Sequence, residues 1–516
     1  MMILLTVVGG LGGSVLLGRT AVQFVIAPRS EEKTPSSEIW GLSIVLGIGL
    51  TGWLSFLWSW SNGRLGFAFS IGLAGLGWLT RLWTIWQSSR QPMQSSTLAV
   101  DPHRSNSPIA GPRLVKACQW LIAILVVLAF AQSMLTPQRF WDERAIFAIK
   151  AKVLFEDSSI NSSALLNPEF VQYHPQYPLM LPLIEQHLYS LMGHTEDRWA
   201  KLWFPLLYAG LVLSFSGVCS RRLGAAWGWT CGLLLATVPI LMPDEYGFLC
   251  AQADAAVACF HGIAVLYLWD GMSCASPKFR LRKALLAGFV ASCAAFTKDE
   301  GTAFLIIDVL SWTAALVLAT LMRAVSGRKS PGASSESHFA MLRFDAFRVL
   351  LFTSFAGTML LPWFSHRRRL PEVTEMHYVG RMSISALYDR LSTLRWSLPH
   401  LSSRMFGEWK DWGLQWWIGL AAIVTRPGRA IEQPQLFLIL NLFGALAALL
   451  VAGMLAPAEL EEHLGGSTHR FLMQIVPVVL LLVAAQWAEP AEGFESVGKL
   501  PDSTTQSIPR EHGTRV

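Results

Sequence analysis

Residues 114–135 read Leu114-Val115-Lys116-Ala117-Cys118-Gln119-Trp120-Leu121-Ile122-Ala123-Ile124-Leu125-Val126-Val127-Leu128-Ala129-Phe130-Ala131-Gln132-Ser133-Met134-Leu135, and the chain then reaches Phe140-Trp141-Asp142-Glu143-Arg144-Ala145-Ile146. The first stretch is long enough to cross a hydrocarbon core of about 30 Å as a helix. Similar apolar stretches of roughly 18 to 22 residues recur along the whole chain. With 52% hydrophobic and only 15% charged residues among 516, the chain carries more apolar side chain than one soluble core could bury. Long apolar runs without period-2 alternation do not suit a β-barrel. The reading is an all-α, polytopic transmembrane helical bundle.

About thirteen spans are expected, near 2–26, 39–60, 65–86, 114–135, 202–219, 225–242, 251–269, 284–297, 302–322, 346–363, 414–425, 435–455 and 471–487. Those at 284–297 and 414–425 are short, and the second needs its flank Trp412 to Trp417 to reach adequate length. The start, Met1 to Leu17, lacks a basic n-region and a small-residue cleavage site, so it reads as a retained span. Most of the 22 Trp lie near the ends of apolar runs, as in Trp53-Leu54-Ser55-Phe56-Leu57-Trp58-Ser59-Trp60, where an amphipathic ring suits the lipid interface. Seven cysteines, with no Cys-x-x-Cys among them, argue against disulfides and a zinc site.

Charge sets the orientation. Lys and Arg give a formal charge of +6, scattered through short loops with no basic helix interleaved with stacking aromatics, so no nucleic-acid partner is expected. When the spans alternate, Arg90 to Lys116, Arg221-Arg222, Lys278 to Lys283, Arg323 to Arg343, and Arg426 with Arg429 fall on one side, which the positive-inside rule makes cytoplasmic. The opposite side receives a large loop after the fourth span, 136–201, and a second long segment, 365–413. The triplet Arg367-Arg368-Arg369 falls on that outer side against the rule, either for an anionic ligand or for lipid head groups. Residues 1–87 form three leading spans, 88–113 a Ser-, Pro- and Arg-rich cytoplasmic linker, 114–487 the main transmembrane module, and 488–516 a disordered cytoplasmic tail. Ser330 to Ser337 reads as a smaller flexible loop.

Asp142 and Glu143 are the leading catalytic candidates, because a carboxylate pair at the mouth of a bundle reaches both a water-soluble hydroxyl and a lipid head group. Adjacent on a helix, they point roughly 100° apart, so one of the two faces a given reaction centre. The alternative is a cap for a helix Glu143 to Phe155, where acidic residues are favoured. The other of the two carboxylates is able to orient a substrate, bind a cation, or pair with Lys150 or Lys152. Further on, Tyr173-His174-Pro175-Gln176-Tyr177-Pro178 offers His174 and Tyr177 to line a sugar site, and its prolines exclude a regular helix at its start.

Three later residues fall at the outer rim: Asp254 at the entrance of an apolar run, Lys298 in Thr297-Lys298-Asp299-Glu300-Gly301, and Arg470 before the last span. Lys298 suits a lipid phosphate or simply snorkels, and Arg470 is able to grip phosphate oxygens bidentately. Asp308 lies deeper, and a buried polar contact is expected for it. No cofactor is evident; carboxylates are able to bind a divalent metal, yet no ligand set stands out.

In this order, Trp141-Asp142-Glu143 with Lys150-Ala151-Lys152, Tyr177-Pro178-Leu179, Ala253-Asp254, Thr297-Lys298-Asp299-Glu300-Gly301, Leu361-Pro362-Trp363 and His469-Arg470 resemble the GT-C membrane glycosyltransferases. The likeness covers about residues 114–487 and points to the bacterial branch similar to dolichyl-phosphate-mannose protein mannosyltransferases and aminoarabinose transferases. It implies an inverting transferase in the inner membrane, with its site facing the periplasm, that moves a sugar from a polyprenyl-phosphate donor to a glycan, lipid or protein acceptor. The family's acidic residue of the first outer loop matches Asp142 or Glu143, its later acidic residue Asp254, its Thr-Lys turn Lys298, and its Arg before the last span Arg470. Three leading spans depart from the simplest family plan. The rival from another class is a non-catalytic transporter or flippase of lipid-linked sugars, although no internal repeat of the transporter kind is visible.

Overall fold

The computed structural model describes residues 2–25, 34–90, 111–242, 245–274, 276–325, 335–372, 380, 382–455 and 460–488. Most of the linker (91–110), most of the loop near 330 (326–334) and the tail from 489 lie outside the described residues. The described chain is helical, with no strand.

The leading helices are α1 (Met2–Val25), α2 (Ser36–Trp60) and α3 (Phe67–Arg90). After the linker come α4 (Pro112–Leu135), α5 (Ile149–Asp157), α6 (Ser163–Leu166), α7 (Met180–Met192), α8 (Asp197–Ala200), α9 (Trp203–Leu223) and α10 (Ala225–Ala236). The middle of the chain forms α11 (Ala253–Met272), α12 (Pro277–Ala295), α13 (Asp299–Val325) and α14 (Ser335–Arg367). The last third holds α15 (Ile384–Asp389), α16 (Leu394–Phe406), α17 (Trp409–Trp412), α18 (Gln415–Thr425), α19 (Pro427–Ala430), α20 (Gln433–Leu455) and α21 (Leu460–Trp487).

Nine helices among the described residues are long and apolar enough to cross a membrane, which makes this a multi-pass membrane protein. They are α1, α2, α4, a segment from Asp197 to Leu223 that includes α9, then α11, α13, α14, α20 and α21. The other four of the thirteen expected stretches are helical but differ. Helix α10 stops after 12 residues, where Thr237-Val238-Pro239 cannot continue it, and α18 has 11. Both are short apolar helices; α3 and α12 carry polar or basic ends, Gln87 to Arg90 and Lys278 to Lys283.

Lipid tails are as apolar as Leu, so helices are held together by close packing rather than by escape from water. The pair α1 and α2 shows how. Ser14 and Gly18 on one helix face Ser43 and Gly47 on the other; a Cβ at Gly18 would sit 2.0 Å from the Ser43 carbonyl oxygen, and one at Gly47 would sit 2.2 Å from that of Ser14. Thr51 Oγ1 donates to Ser14 Oγ across the same contact at 2.9 Å. Helix α2 also packs along α9 and reaches the later half of the chain, where Trp53 stacks on Phe296 with centroids 4.2 Å apart. The leading helices are thus continuous in space with the main module, although the linker separates them in sequence.

Helix α11 is almost wholly buried and runs through the bundle as a strut. Its two carboxylates, Asp254 and Asp270, lie sixteen residues apart, about 24 Å along the axis. Around Asp270 three basic residues from two helix ends converge: from α9, Arg221 Nη2 at 2.8 Å and Arg222 through Nε, and from α12, Lys283 Nζ at 2.9 Å. Arg221 also pairs with Glu38 of α2 through two bonds of 2.8 Å, and Tyr267 donates to the same carboxylate. Arg221-Arg222 and Lys283, grouped on one side by the charge pattern, therefore share one end of the bundle. Asp254 marks the opposite end. All seven cysteines are buried and free, and Asp308 accepts a hydrogen bond from Asn441 Nδ2 at 2.7 Å, with His261 beside it at 3.4 Å.

Candidate functional site

Thr136 takes an extended conformation before Pro137, which ends α4 and turns the chain across the end of the bundle. The chain then winds into a π-helical turn, Asp142–Ala148, that runs directly into α5. The helix expected from Glu143 to Phe155 thus exists with a wider first part. Turns of this kind are rare and concentrate at functional sites.

Within that turn the two acidic neighbours separate. Glu143 is fully buried. Its Oε2 accepts from the backbone N–H of Arg139 at 2.7 Å and of Phe140 at 3.1 Å, and its Oε1 takes the N–H of Ala251 at 2.8 Å and Lys201 Nζ at 3.2 Å. Four donors hold this carboxylate, and they tie the loop after α4 to the residues just before α11. Asp142 instead keeps 23% of its side chain exposed and places Oδ2 2.7 Å from Arg470 Nη2.

Arg470 comes from α21 and reaches two acidic partners at once. Besides Asp142, it donates to Asp254 Oδ2 through Nε at 2.9 Å and Nη2 at 2.8 Å. The other oxygen of Asp254 accepts from Lys298 Nζ and from Gln474 Nε2, each at 2.8 Å. Asp254 has no exposed surface, so a buried carboxylate here fixes two cations side by side. Lys298, at the turn between α12 and α13, also meets Glu300 Oε1 at 2.7 Å. Burial pulls its ammonium down, but Asp254 and Glu300 outweigh that and leave its pKa above the ordinary value. Tyr246 lies under the Arg470 guanidinium, 5.4 Å from ring centroid to Cζ.

Asp142, Asp254, Lys298 and Arg470 are therefore brought into one network. His174, Tyr177 and Lys150 form a second group. Lys150 is wholly buried and donates to the carbonyls of His174 at 3.1 Å and Tyr177 at 3.3 Å. Burial pushes its amine down to about 7, against the opposing pull of Asp299. His174 adopts a left-handed conformation, φ 50°, and its ring stacks on Tyr177 with centroids 5.1 Å apart. The two groups adjoin: Met180 N–H donates to the Phe296 carbonyl at 3.1 Å, two residues before Lys298. The Tyr177 phenol is pushed well up by burial and then by Glu300 and Asp299.

The arginine triplet also closes on this loop. Arg367 grips Asp299 through two bonds of 2.6 and 3.0 Å, and Arg369 donates to Asn161 Oδ1 at 3.1 Å. Gln176 Nε2 donates to the Leu370 carbonyl at 3.2 Å. Two of the three cations thus fasten the end of α14 to protein groups.

Sequence reading passed over Gln474, Tyr246, Lys201 and Gln252, whose Oε1 accepts from Arg470 Nη2 at 3.5 Å. Gln474 had a signal, since it stands four residues after Arg470 on the same helix face. The others acquire partners only through the meeting of distant segments. One group of His and carboxylate side chains among the described residues has ligand atoms within 4.8 Å of one another: Glu408, Asp411 and His469. There His469 Nε2 lies 2.8 Å from Glu408 Oε2, and the Arg404 guanidinium, in contact with Glu408 Oε1, sits 2.9 Å from the same ring nitrogen. An arginine inside the group makes it an ion-pair network that braces α16 and α17 against α21.

Chemically, the main network offers two partly exposed carboxylates, Asp142 on Arg470 and Glu300 on Lys298, beside two cations anchored by the buried Asp254 at the mouth of an apolar bundle. No protein-family model, curated protein or solved structure matches this chain.

Proposed function

We propose that this protein is an integral membrane glycosyltransferase that moves a sugar, with inversion, from a polyprenyl-phosphate-linked donor to an acceptor hydroxyl outside the cytoplasm. The observation that carries the reading is the pairing of Arg470 with Asp142 and Asp254 while Lys298 shares the same Asp254. Sugar transfer from a phosphate needs a base for the acceptor and cations for the departing group. In this reading Asp142 takes the proton of the acceptor hydroxyl. The hydroxyl oxygen forms the new bond to the anomeric carbon from the opposite face, and the bond between that carbon and the phosphate oxygen breaks with its electron pair on the phosphate. Lys298 and Arg470 receive the charge that develops there. Asp254 and Gln474 hold the two cations in place, and Glu143 holds the loop that carries Asp142. The bulk of the bundle lies beside the site, where a polyprenyl chain is able to rest in lipid while its phosphate sits at the rim. The inner membrane, with this rim facing the periplasm, is the location that the charge pattern favours.

The test is a transfer assay with the full chain and a polyprenyl-phosphate sugar, joined to a comparison of glycolipids and glycopolymers in cells with and without the protein. Asp142→Asn is expected to lower transfer by about 100-fold or more, the scale of a lost general base. Full activity in Asp142→Asn and in the double variant with Glu143→Gln would sink the catalytic reading. The second reading, a carrier of lipid-linked sugars, draws on the buried trio His261, Asp308 and Asn441 within the bundle. It predicts movement of the intact donor across a vesicle membrane without product formation.

A further inference from the structure

We propose that the donor's phosphate releases the base: Asp142 is stored on Arg470, and a phosphate gripping that guanidinium displaces it. The inference rests on the phosphate role assigned above to Lys298 and Arg470.

A guanidinium offers its N–H groups in a flat fork, and it binds a phosphate or carboxylate best through two parallel N–H bonds. Arg470 has a side edge, Nε with Nη2, and an end edge, Nη1 with Nη2. Asp254 Oδ2 occupies the side edge, at 2.9 Å from Nε and 2.8 Å from Nη2. It cannot yield, because Asp254 is fully buried and its second oxygen is held by Lys298 and Gln474. That leaves the end edge for a phosphate. There Nη2 lies 2.7 Å from Asp142 Oδ2 as an ion pair, and it also donates to Gln252 Oε1 at a long 3.5 Å. A bidentate phosphate on that edge and Asp142 would be two anions against the same Nη2, and they therefore compete for it.

Asp142 is the partner able to move. Its side chain is partly exposed, and Arg470 is its one ion-pair partner among the described residues, whereas the next residue, Glu143, is fixed by four donors. The backbone of the turn stays anchored while the Asp142 side chain swings off. Before the donor binds, three carboxylates, Asp142, Asp254 and Glu300, surround two cations. The base is neutralised by Arg470 in that state and is poorly placed to take a proton. Arrival of the phosphate turns it towards the acceptor, so donor binding precedes deprotonation.

The experiment measures binding of farnesyl phosphate, a short polyprenyl phosphate, to the full-length protein in nanodiscs. If the two anions compete, Asp142→Asn binds it about twofold to tenfold more tightly than the wild type, although the variant is inactive. Asp142→Ser, whose side chain is too short to reach Arg470, shows at least as large a gain and carries the comparison should the Asn variant fold poorly. Arg470→Lys and Lys298→Ala bind more weakly. Unchanged or weaker binding in both Asp142 variants, with weaker binding in Arg470→Lys, overturns the release mechanism and leaves the phosphate site standing. Absence of binding to the wild type and to every variant overturns the phosphate site itself, and the release mechanism falls with it.

Discussion

Glu143 and Asp142 carry the same functional group, yet their surroundings give them different work. Lys201 is only 2% exposed, and Glu143 is its carboxylate partner at 3.2 Å. Removing one member of a buried pair strands the other charge and costs about 3–5 kcal/mol. Glu143→Gln is therefore expected to lower the thermal unfolding temperature markedly. Asp142→Asn, at a partly exposed pair worth about 1 kcal/mol or less, should leave that temperature nearly unchanged. Unfolding curves in detergent, followed by intrinsic fluorescence, separate the two. The sequence indicated that one of the two residues faces the reaction centre. It did not say which, because the choice depends on the Ala251 N–H and on Lys201, which reach Glu143 from elsewhere in the chain.

Lys150 supplies a pH dependence at the same scale. Its pKa falls from 10.5 in the free side chain to about 7 in the fold, and burial is the first cause. Below about 7 the lysine is charged in both states, and the whole cost of burying that charge is present. Between about 7 and 10.5 the unfolded chain binds more protons than the folded one, so stability rises with pH across that window. Lys150→Met should flatten this rise. Unfolding temperatures of the two proteins measured from pH 6 to pH 10 check it, and parallel curves would contradict the assignment.

Among the elements, α1 and α2 meet through small residues, and the contact leaves no room for a side chain. A Cβ at Gly47 would lie 2.2 Å from a backbone oxygen, which cannot be relieved by rotating a side chain. Gly47→Ala is expected to lower the unfolding temperature and Gly47→Leu to lower it further, with loss of folded protein on gel filtration. An unchanged Gly47→Leu would show that the two helices are not pressed together there. The helices themselves were legible because long apolar runs in lipid must satisfy their backbone groups internally. Their ends were less so. Val238-Pro239 stops α10 early, and the π-helical turn at Asp142–Ala148 has no signature in apolar spacing. Asp308 was expected to make a buried polar contact, and Asn441 provides it.

Across the whole molecule, two clusters of charge stand at opposite ends of α11, with Asp270 at one and Asp254 at the other. The helix ends that carry Arg221, Arg222 and Lys283 gather at the first, and residues of the loop after α4, the turn at Lys298 and α21 gather at the second. Ser163 and Ser392 are exposed, as is Lys278 near the other cluster. In intact cells, Ser163→Cys and Ser392→Cys should react with an impermeant thiol reagent, whereas Lys278→Cys should react only after the membrane is opened. The native cysteines are buried and give little background. Labelling of all three from outside would reject the orientation.

The sequence by itself determined that the chain is all-helical and membrane-embedded, and it placed Asp142, Asp254, Lys298 and Arg470 as acid or base at the ends of apolar runs. Those properties follow from local composition and from the length that a bilayer demands. Only the tertiary structure decided that Asp254 is a buried anchor for two cations, that Glu143 is a strut and that Asp142, unlike its neighbour Glu143, stays within reach of water. The physical reason is that a carboxylate's role depends on how many donors surround it and how far it is from solvent. Here those donors come from the residues just before α11, from α21, the turn at Lys298 and the loop at Lys201, segments that meet only when the bundle closes.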